Sequence, residues 1–127
     1  MSYADFCQAC NNYSIHSNSI LRKDIVADLM RLKAQGATIY VISASIHEWV
    51  LPICIHLGID MVIGTKVERD QQDLLTGMFS SKNCYGQEKV NRLLEFEPLR
   101  GNYYLVAYGD SRGDKEMLDF ADKRIWV

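Results

Sequence analysis

Apolar positions along this chain recur with two periods. Residues 20–35 carry Ile20, Leu21, Ile25, Val26, Leu29, Met30 and Leu32 at helical spacing, with Ser19 as N-cap and Gly36 as stop. Ala37-Thr38-Ile39-Tyr40-Val41-Ile42 is too apolar for a one-sided sheet, which predicts a fully buried strand ending at Ser43-Ala44-Ser45. Ser45 and Glu48 have capping-box spacing and open a helix through Trp49, Val50, Ile53 and Leu57. Pro52 interrupts or kinks that helix, and Gly58 ends it. A second short parallel strand is expected over 59–64. Residues 65–68 and 74–79 flank a polar tip, the pattern of a hairpin with a five-residue loop. Helices follow at about 87–96 and 115–121, and strands at 103–108 and 124–127. Before all of these, residues 3–10 place Tyr3, Phe6, Cys7 and Cys10 at helical spacing. Residues 11–19 are polar and turn-prone, with Tyr13 and Ile15 alternating as in a short extended connector. Strands alternating with helices imply βαβ units and a mostly parallel sheet, an α/β fold.

One junction in this pattern carries chemistry. Leu105-Val106-Ala107-Tyr108 stops at Gly109-Asp110-Ser111, and a second carboxylate, Asp114, stands four residues beyond Asp110. An ordinary β-to-α turn accounts for such residues, with Gly109 bending the chain and Ser111 capping the helix. The alternative is a ligand site, because ligands of open α/β folds sit at the carboxyl edge of the sheet. Two further polar features fall at corresponding places. Ser43 closes the first buried strand, and Lys89 lies in the first turn of the helix after Gly86. A cation there opposes the helix dipole by some tenths of a kcal/mol. A hydroxyl, a lysine and two carboxylates at one sheet edge suit phosphate and a hard divalent cation such as Mg²⁺.

Composition narrows the classes. A length of 127 residues, 48% of them apolar and 24% charged, fits one globular domain. The net charge of −2 offers nothing to nucleic acid or an anionic membrane surface. No apolar run has the length of a membrane span, and Met1-Ser2-Tyr3-Ala4-Asp5 does not open a signal peptide, so a cytoplasmic location is expected. Cys7 and Cys10 form a C-x-x-C, while Cys54 and Cys84 stand apart. With no second close pair, buried or partly buried free thiols are expected rather than a zinc or redox site. His16, His47 and His56 fit no ligand spacing. Arg112 reads as an exposed turn residue.

The motifs, taken in order, resemble the haloacid dehalogenase superfamily, in its phosphoserine-phosphatase-like branch, from about Asp24 to Val127. Val41-Ile42-Ser43-Ala44-Ser45 resembles its second motif, and Cys84-Tyr85-Gly86-Gln87-Glu88-Lys89-Val90 its third. Gly109-Asp110-Ser111 with Asp114, Met117 and Leu118 resembles its fourth. Gly58-Ile59-Asp60, Ile63-Gly64-Thr65 and Leu75-Thr76-Gly77 recur at that branch's hairpin spacing. The resemblance implies a Rossmann-like three-layer parallel sheet with a small β-hairpin. It also implies Mg²⁺-dependent hydrolysis of a phosphomonoester, a small molecule or a lipid headgroup. Ser43, Ala44, Ser45 and Lys89 would bind phosphate, with Ser43 and Lys89 acting in catalysis. Asp110 would hold Mg²⁺, with Asp114 either in the metal shell or holding Lys89.

The chain departs from that family at its first motif. The D-x-D-G-T strand, whose first aspartate is the family's nucleophile and whose second is its general acid and base, is absent. Asp24 and Asp28 lie on a predicted helix, on its solvated face. The expectation is therefore a single incomplete core domain over 1–127, with 1–19 a remnant of cap and linker. A chain truncated in origin and inactive alone is expected. The competing reading is a non-catalytic module binding Mg²⁺, phosphate or a protein. The absent strand would sit between those ending at Ser43 and Asp110, where unpaired backbone groups cost about 1–3 kcal/mol each. A homo-oligomer, an N-terminal partner, a rearranged N-terminus or direct pairing of the two strands would have to close the gap.

Overall fold

In the computed structural model, which describes residues 1–17, 23–59 and 61–127, strands and helices alternate much as the periodicity predicts. The order is α1 (Tyr3–Ser17), α2 (Lys23–Ala34), β1 (Tyr40–Ile46), α3 (His47–His56), β2 (Met61–Thr65), β3 (Val67–Arg69), β4 (Leu75–Phe79), α4 (Gln87–Phe96), β5 (Val106–Gly109), α5 (Lys115–Phe120) and β6 (Lys123–Trp126). Short 3-10 turns precede β5 and α5, at Arg100–Asn102 and Arg112–Asp114. Residues 18–22, which include the expected cap Ser19 and the first positions of the helix expected from Ile20, and Asp60 of the second strand lie outside the described residues.

The pairing differs from a single sheet. β1 pairs with β2 in parallel, β5 with β6 in parallel, and β3 with β4 as the antiparallel hairpin. Among the described residues no strand joins β1 to β5. A cavity of about 320 Å³ is lined by residues of both strands, by Leu29 and Leu32 of α2, and by Leu93 and Met117. The core is correspondingly in two parts. Val90, Ala107, Met117 and Leu118 form one, with Ile42 packed against it. Cys54, Ile59 and Val62 form the other, with Met30, Ile39 and Val41.

Four local expectations are corrected. The strand expected to be fully buried is only half-buried over Tyr40–Ser43, because β1 has a strand neighbour on one edge and the cavity on the other. The tract from Asn11 to Ser17 is helical, not an extended connector. Contacts made at the start of α1 anchor it: Tyr3 N–H donates to Asp73 O at 2.8 Å, and Arg69 sits over the Tyr3 ring at 3.9 Å. The Ser45–Glu48 capping box does not form. β1 runs on to Ile46, opposite Thr65 of β2, so α3 starts later, with no side-chain cap. Glu48 instead accepts from Tyr3 Oη at 3.2 Å. Asp28 is not simply solvated either. It accepts a hydrogen bond from Tyr108 Oη, tying α2 to β5, and another from Arg31 at 2.7 Å.

The thiols follow expectation: Cys10, Cys54 and Cys84 are buried and Cys7 partly so, all four free. Burial pushes the Cys54 thiol up to about 11. Among the described residues no group of three His, Cys, Asp or Glu side chains is placed to hold a metal ion. No helix among them is long and apolar enough to cross a membrane.

Candidate functional site

The site forms where β1, β5 and α4 converge. Gly86 precedes α4 at φ 61°, ψ −127°, a conformation that glycine tolerates and L side chains rarely adopt. Its N–H donates to Gly113 O at 2.9 Å, which fastens the start of α4 to the turn after β5. That placement puts Lys89 in the first turn, pointing inward and 6% exposed. Its ammonium donates to Ile42 O at 3.0 Å and to Asp114 Oδ1 at 2.6 Å. One cation therefore links β1, at Ile42, to the acidic turn that follows β5. The opposition to the helix dipole is outweighed by this ion pair at short range in a buried setting.

Asp114 is as buried as its partner, at 6% exposure. Its Oδ2 accepts from Asp110 N–H at 3.0 Å, and from Ser111 N–H and Oγ at 3.3 Å each. Ser111 thereby forms a capping box with Asp114 around the 3-10 turn. Burial alone pushes the Asp114 carboxyl up. The hydrogen bonds from Lys89 and from the Asp110 and Ser111 backbone outweigh it and hold the group below its ordinary value of 3.8. Both carboxylate oxygens are thus already engaged. Gly109 permits this approach, since a Cβ there would lie 2.6 Å from Asp114 Cβ.

Asp110 is different. Its backbone N–H is held by Asp114, while its carboxylate is exposed and makes no hydrogen bond or ion pair among the described residues. Ser43 follows Ile42 directly on β1, half-buried, and its Oγ accepts from Ser45 N–H at 3.0 Å. Ala44 and Ser45 are exposed beyond it. The structure therefore joins Lys89, Asp114 and the Asp110 backbone through hydrogen bonds. It sets Ser43, Ala44 and Ser45 on the adjoining strand end, without a bond from their side chains to Lys89. Arg112 is exposed on the turn.

Two further residues brace this corner, Thr65, noted in the sequence only within the hairpin motif, and Arg92, which the sequence did not single out. Thr65, 3% exposed, donates from Oγ1 to Ala44 O at 2.9 Å and accepts from Cys84 N–H at 3.1 Å. It links the end of β1 to the segment leading into α4. Arg92, three residues beyond Lys89 on α4, is 6% exposed and donates to Gly64 O at 3.0 Å. A lone threonine at a strand end gives no sequence signal for such a role. Arg92 shares the Lys89 face of α4 by its i+3 spacing, which is the signal that could have found it. Thr65→Val keeps the shape and removes both bonds. It is expected to lower stability by about 1 kcal/mol, measured by urea unfolding, and to loosen the Cys84 amide in hydrogen exchange.

An α/β frame with a buried lysine and an acidic turn at one sheet edge belongs to a known class. The chain is a member of the haloacid dehalogenase-like hydrolase family, which it matches over residues 2–119. Its curated relatives include Protein CicA of Caulobacter vibrioides, from strains NA1000 / CB15N and ATCC 19089 / CIP 103742 / CB 15. Each is 38% identical over 107 residues, covering 84% of this chain and 47% of the relative. The chain thus spans about half the length of the curated relatives it matches. A crystal structure of phosphoserine phosphatase in apo form aligns at TM-score 0.62 and 25% identity, over 77% of this chain and 50% of that one. A phosphoserine phosphohydrolase-like protein from Francisella tularensis subsp. tularensis SCHU S4 shares the fold at TM-score 0.68 and 20% identity, over 94% of this chain and 56% of that one.

Proposed function

We propose that this chain supplies the lysine and metal side of a phosphomonoester-hydrolase site and does not turn over phosphate esters alone. The observation that carries this reading is the Lys89 ammonium, buried and pinned at the mouth of the gap by Ile42 O and Asp114. Two of its three N–H bonds are used, which leaves one to meet a phosphoryl oxygen. Ser43 Oγ and the Ala44 and Ser45 backbone at the adjoining strand end would hold further phosphoryl oxygens. Asp114 is the positioning residue: with Oδ1 on Lys89 and Oδ2 on the turn, it fixes the cation and has no lone carboxylate oxygen for a metal.

The exposed, unpaired Asp110 carboxylate fits a hard cation, and Mg²⁺ takes one or two carboxylates beside waters and phosphate. Bound there, Mg²⁺ would neutralise phosphoryl charge. The sequence has no D-x-D pair, so a carboxylate nucleophile with its partner acid is not among these residues. The substrate class this supports is a phosphomonoester, small molecule or lipid headgroup, with Lys89, Ser43 and Asp110 recognising the phosphate it carries.

Calorimetry with inorganic phosphate and Mg²⁺ tests the binding half. Joint binding is expected, weakened about tenfold or more in Asp110→Asn by loss of one charge-assisted contact. Phosphate binding indifferent to both Mg²⁺ and Asp110 rules the site out. Hydrolysis of p-nitrophenyl phosphate by the chain alone, lost in Asp110→Asn, would overturn the inactivity.

A further inference from the structure

The turn after β5 carries a cation with no partner. Arg31, Arg69, Arg92, Arg100 and Arg124 each have a carboxylate oxygen within 3.5 Å. Arg112, exposed on the 3-10 turn, makes no side-chain ion pair or hydrogen bond among the described residues. The acids nearest to it in the chain are directed elsewhere. Both oxygens of Asp114 are taken, by Lys89 and by the donors of the turn itself. Glu116, four residues beyond Arg112, has its Oε2 buried beside Gly86, where a Cβ would lie 3.3 Å from it. Asp110 and Arg112 are both exposed, and they do not pair with each other.

The backbone that carries Arg112 is held on both sides. Ser111 and Asp114 close the capping box around it. Gly113 is buried, and its carbonyl accepts from Gly86 N–H at 2.9 Å. The Tyr85 ring lies against the same glycine, so close that a Cβ there would be 2.5 Å from Tyr85 Cε2. Two residues of chain span at most about 7 Å, so the Cα atoms of Asp110 and Arg112 are no farther apart than that. A guanidinium rooted in a braced turn and free at its tip is a ready receptor for an oxyanion. Its fork matches carboxylate and phosphate bidentately, and the fixed backbone lowers the ordering cost of binding.

We propose that Arg112 is a specificity-determining residue that binds a second oxyanion, a carboxylate or a phosphate, carried by the leaving group within a few bonds of the phosphate ester. This rests on the reading that phosphate and Mg²⁺ meet at Lys89 and Asp110. With the phosphoryl group in that corner, the second anion reaches over the turn to Arg112. Lys89 cannot serve it, being buried and already neutralised by Asp114. The contact is exposed, so its effect is smaller than that of a buried pair.

Calorimetry on the whole chain at fixed free Mg²⁺ tests this with ethyl phosphate, 2-phosphoglycolate and ethane-1,2-diyl bisphosphate. The first has no second anion, the second a carboxylate and the third a phosphate. At least one of the latter two is expected to bind about fivefold or more tighter than ethyl phosphate, and the one that gains more identifies the second anion. In Arg112→Gln, which removes no side-chain contact of the folded chain, the three affinities are expected to converge. Lys115→Gln removes the same charge from an exposed position three residues away and is expected to keep the preference. Equal affinities in the parent chain, a preference that survives Arg112→Gln, or an equal loss in Lys115→Gln each overturns the proposal. Inorganic phosphate separates this from the reading beneath it. Phosphate bound with no preference among the esters sinks the role of Arg112 alone, whereas no phosphate bound at all sinks both.

Discussion

Asp114→Ala is expected to cost about 3–5 kcal/mol, because it strands the Lys89 ammonium in a buried site with only Ile42 O as partner. Four hydrogen bonds to the carboxylate go with it, from Lys89, from Asp110 N–H and from Ser111 N–H and Oγ. Adding Lys89→Met to Asp114→Ala removes the unpaired charge. The double variant is expected to recover most of the loss and to keep a deficit of about 1 kcal/mol from the broken cap. Urea unfolding of the two singles and the double measures it. Equal costs for the single and the double variants would show that charge burial is not what Asp114 relieves. The same carboxylate sets an acid limb. Its folded pKa lies below the ordinary value of 3.8, so its contribution is complete above that value and drains away as pH falls through the folded one. Asp114→Asn should flatten the stability profile in that window and leave neutral pH as its most altered region.

Gly109→Ala is expected to destabilise by about 1–3 kcal/mol through overpacking at a position with no room. The added methyl would meet Asp114 Cβ at 2.6 Å and its Cγ and Oδ2 at 3.0 Å, atoms that cannot swing aside without leaving Lys89. The Asp114 carboxyl should then titrate higher, toward its ordinary value, because the Lys89 bond that lowers it lengthens. NMR titration of the carboxyl and thermal unfolding give the two readouts. Gly101→Ala is the control, since nothing lies within 4 Å of a Cβ there. An unmoved Asp114 in Gly109→Ala would separate the glycine from the lysine site.

Much of the fold was legible because its signals are local. The apolar positions of α2, the Gly86-to-Lys89 entry into α4 and the Gly109-Asp110 stop of β5 each lie within a few residues. Helix period, glycine stops and turn residues act over that range. The candidate site was legible as a set of residue types at strand-to-helix junctions, and the family motifs placed Lys89 and Asp110 in order. The roles were less so. Whether Asp114 faces a metal or Lys89 depends on two groups 25 residues apart meeting at 2.6 Å. The bracing by Thr65 crosses 21 residues to Ala44. The Ser45 capping box was sound locally and lost to a pairing between Ile46 and Thr65 that no local rule contains.

By itself the sequence determined most of the order and type of the elements, the acidic turn after β5, the place of Lys89 in the first turn of its helix and the absence of a D-x-D pair. Those properties follow from hydrophobic period, turn chemistry and residue identity, which act on neighbours in the chain. Only the tertiary structure decided that, among the described residues, no strand joins β1 to β5 and an apolar cavity lies between them, and that Lys89 turns inward to meet Ile42 O and Asp114. Strand pairing and ion pairing join residues distant in sequence, and their energy depends on what else is close by. The acidic turn is thus a braced corner whose Asp114 holds the lysine and whose Asp110 stands free.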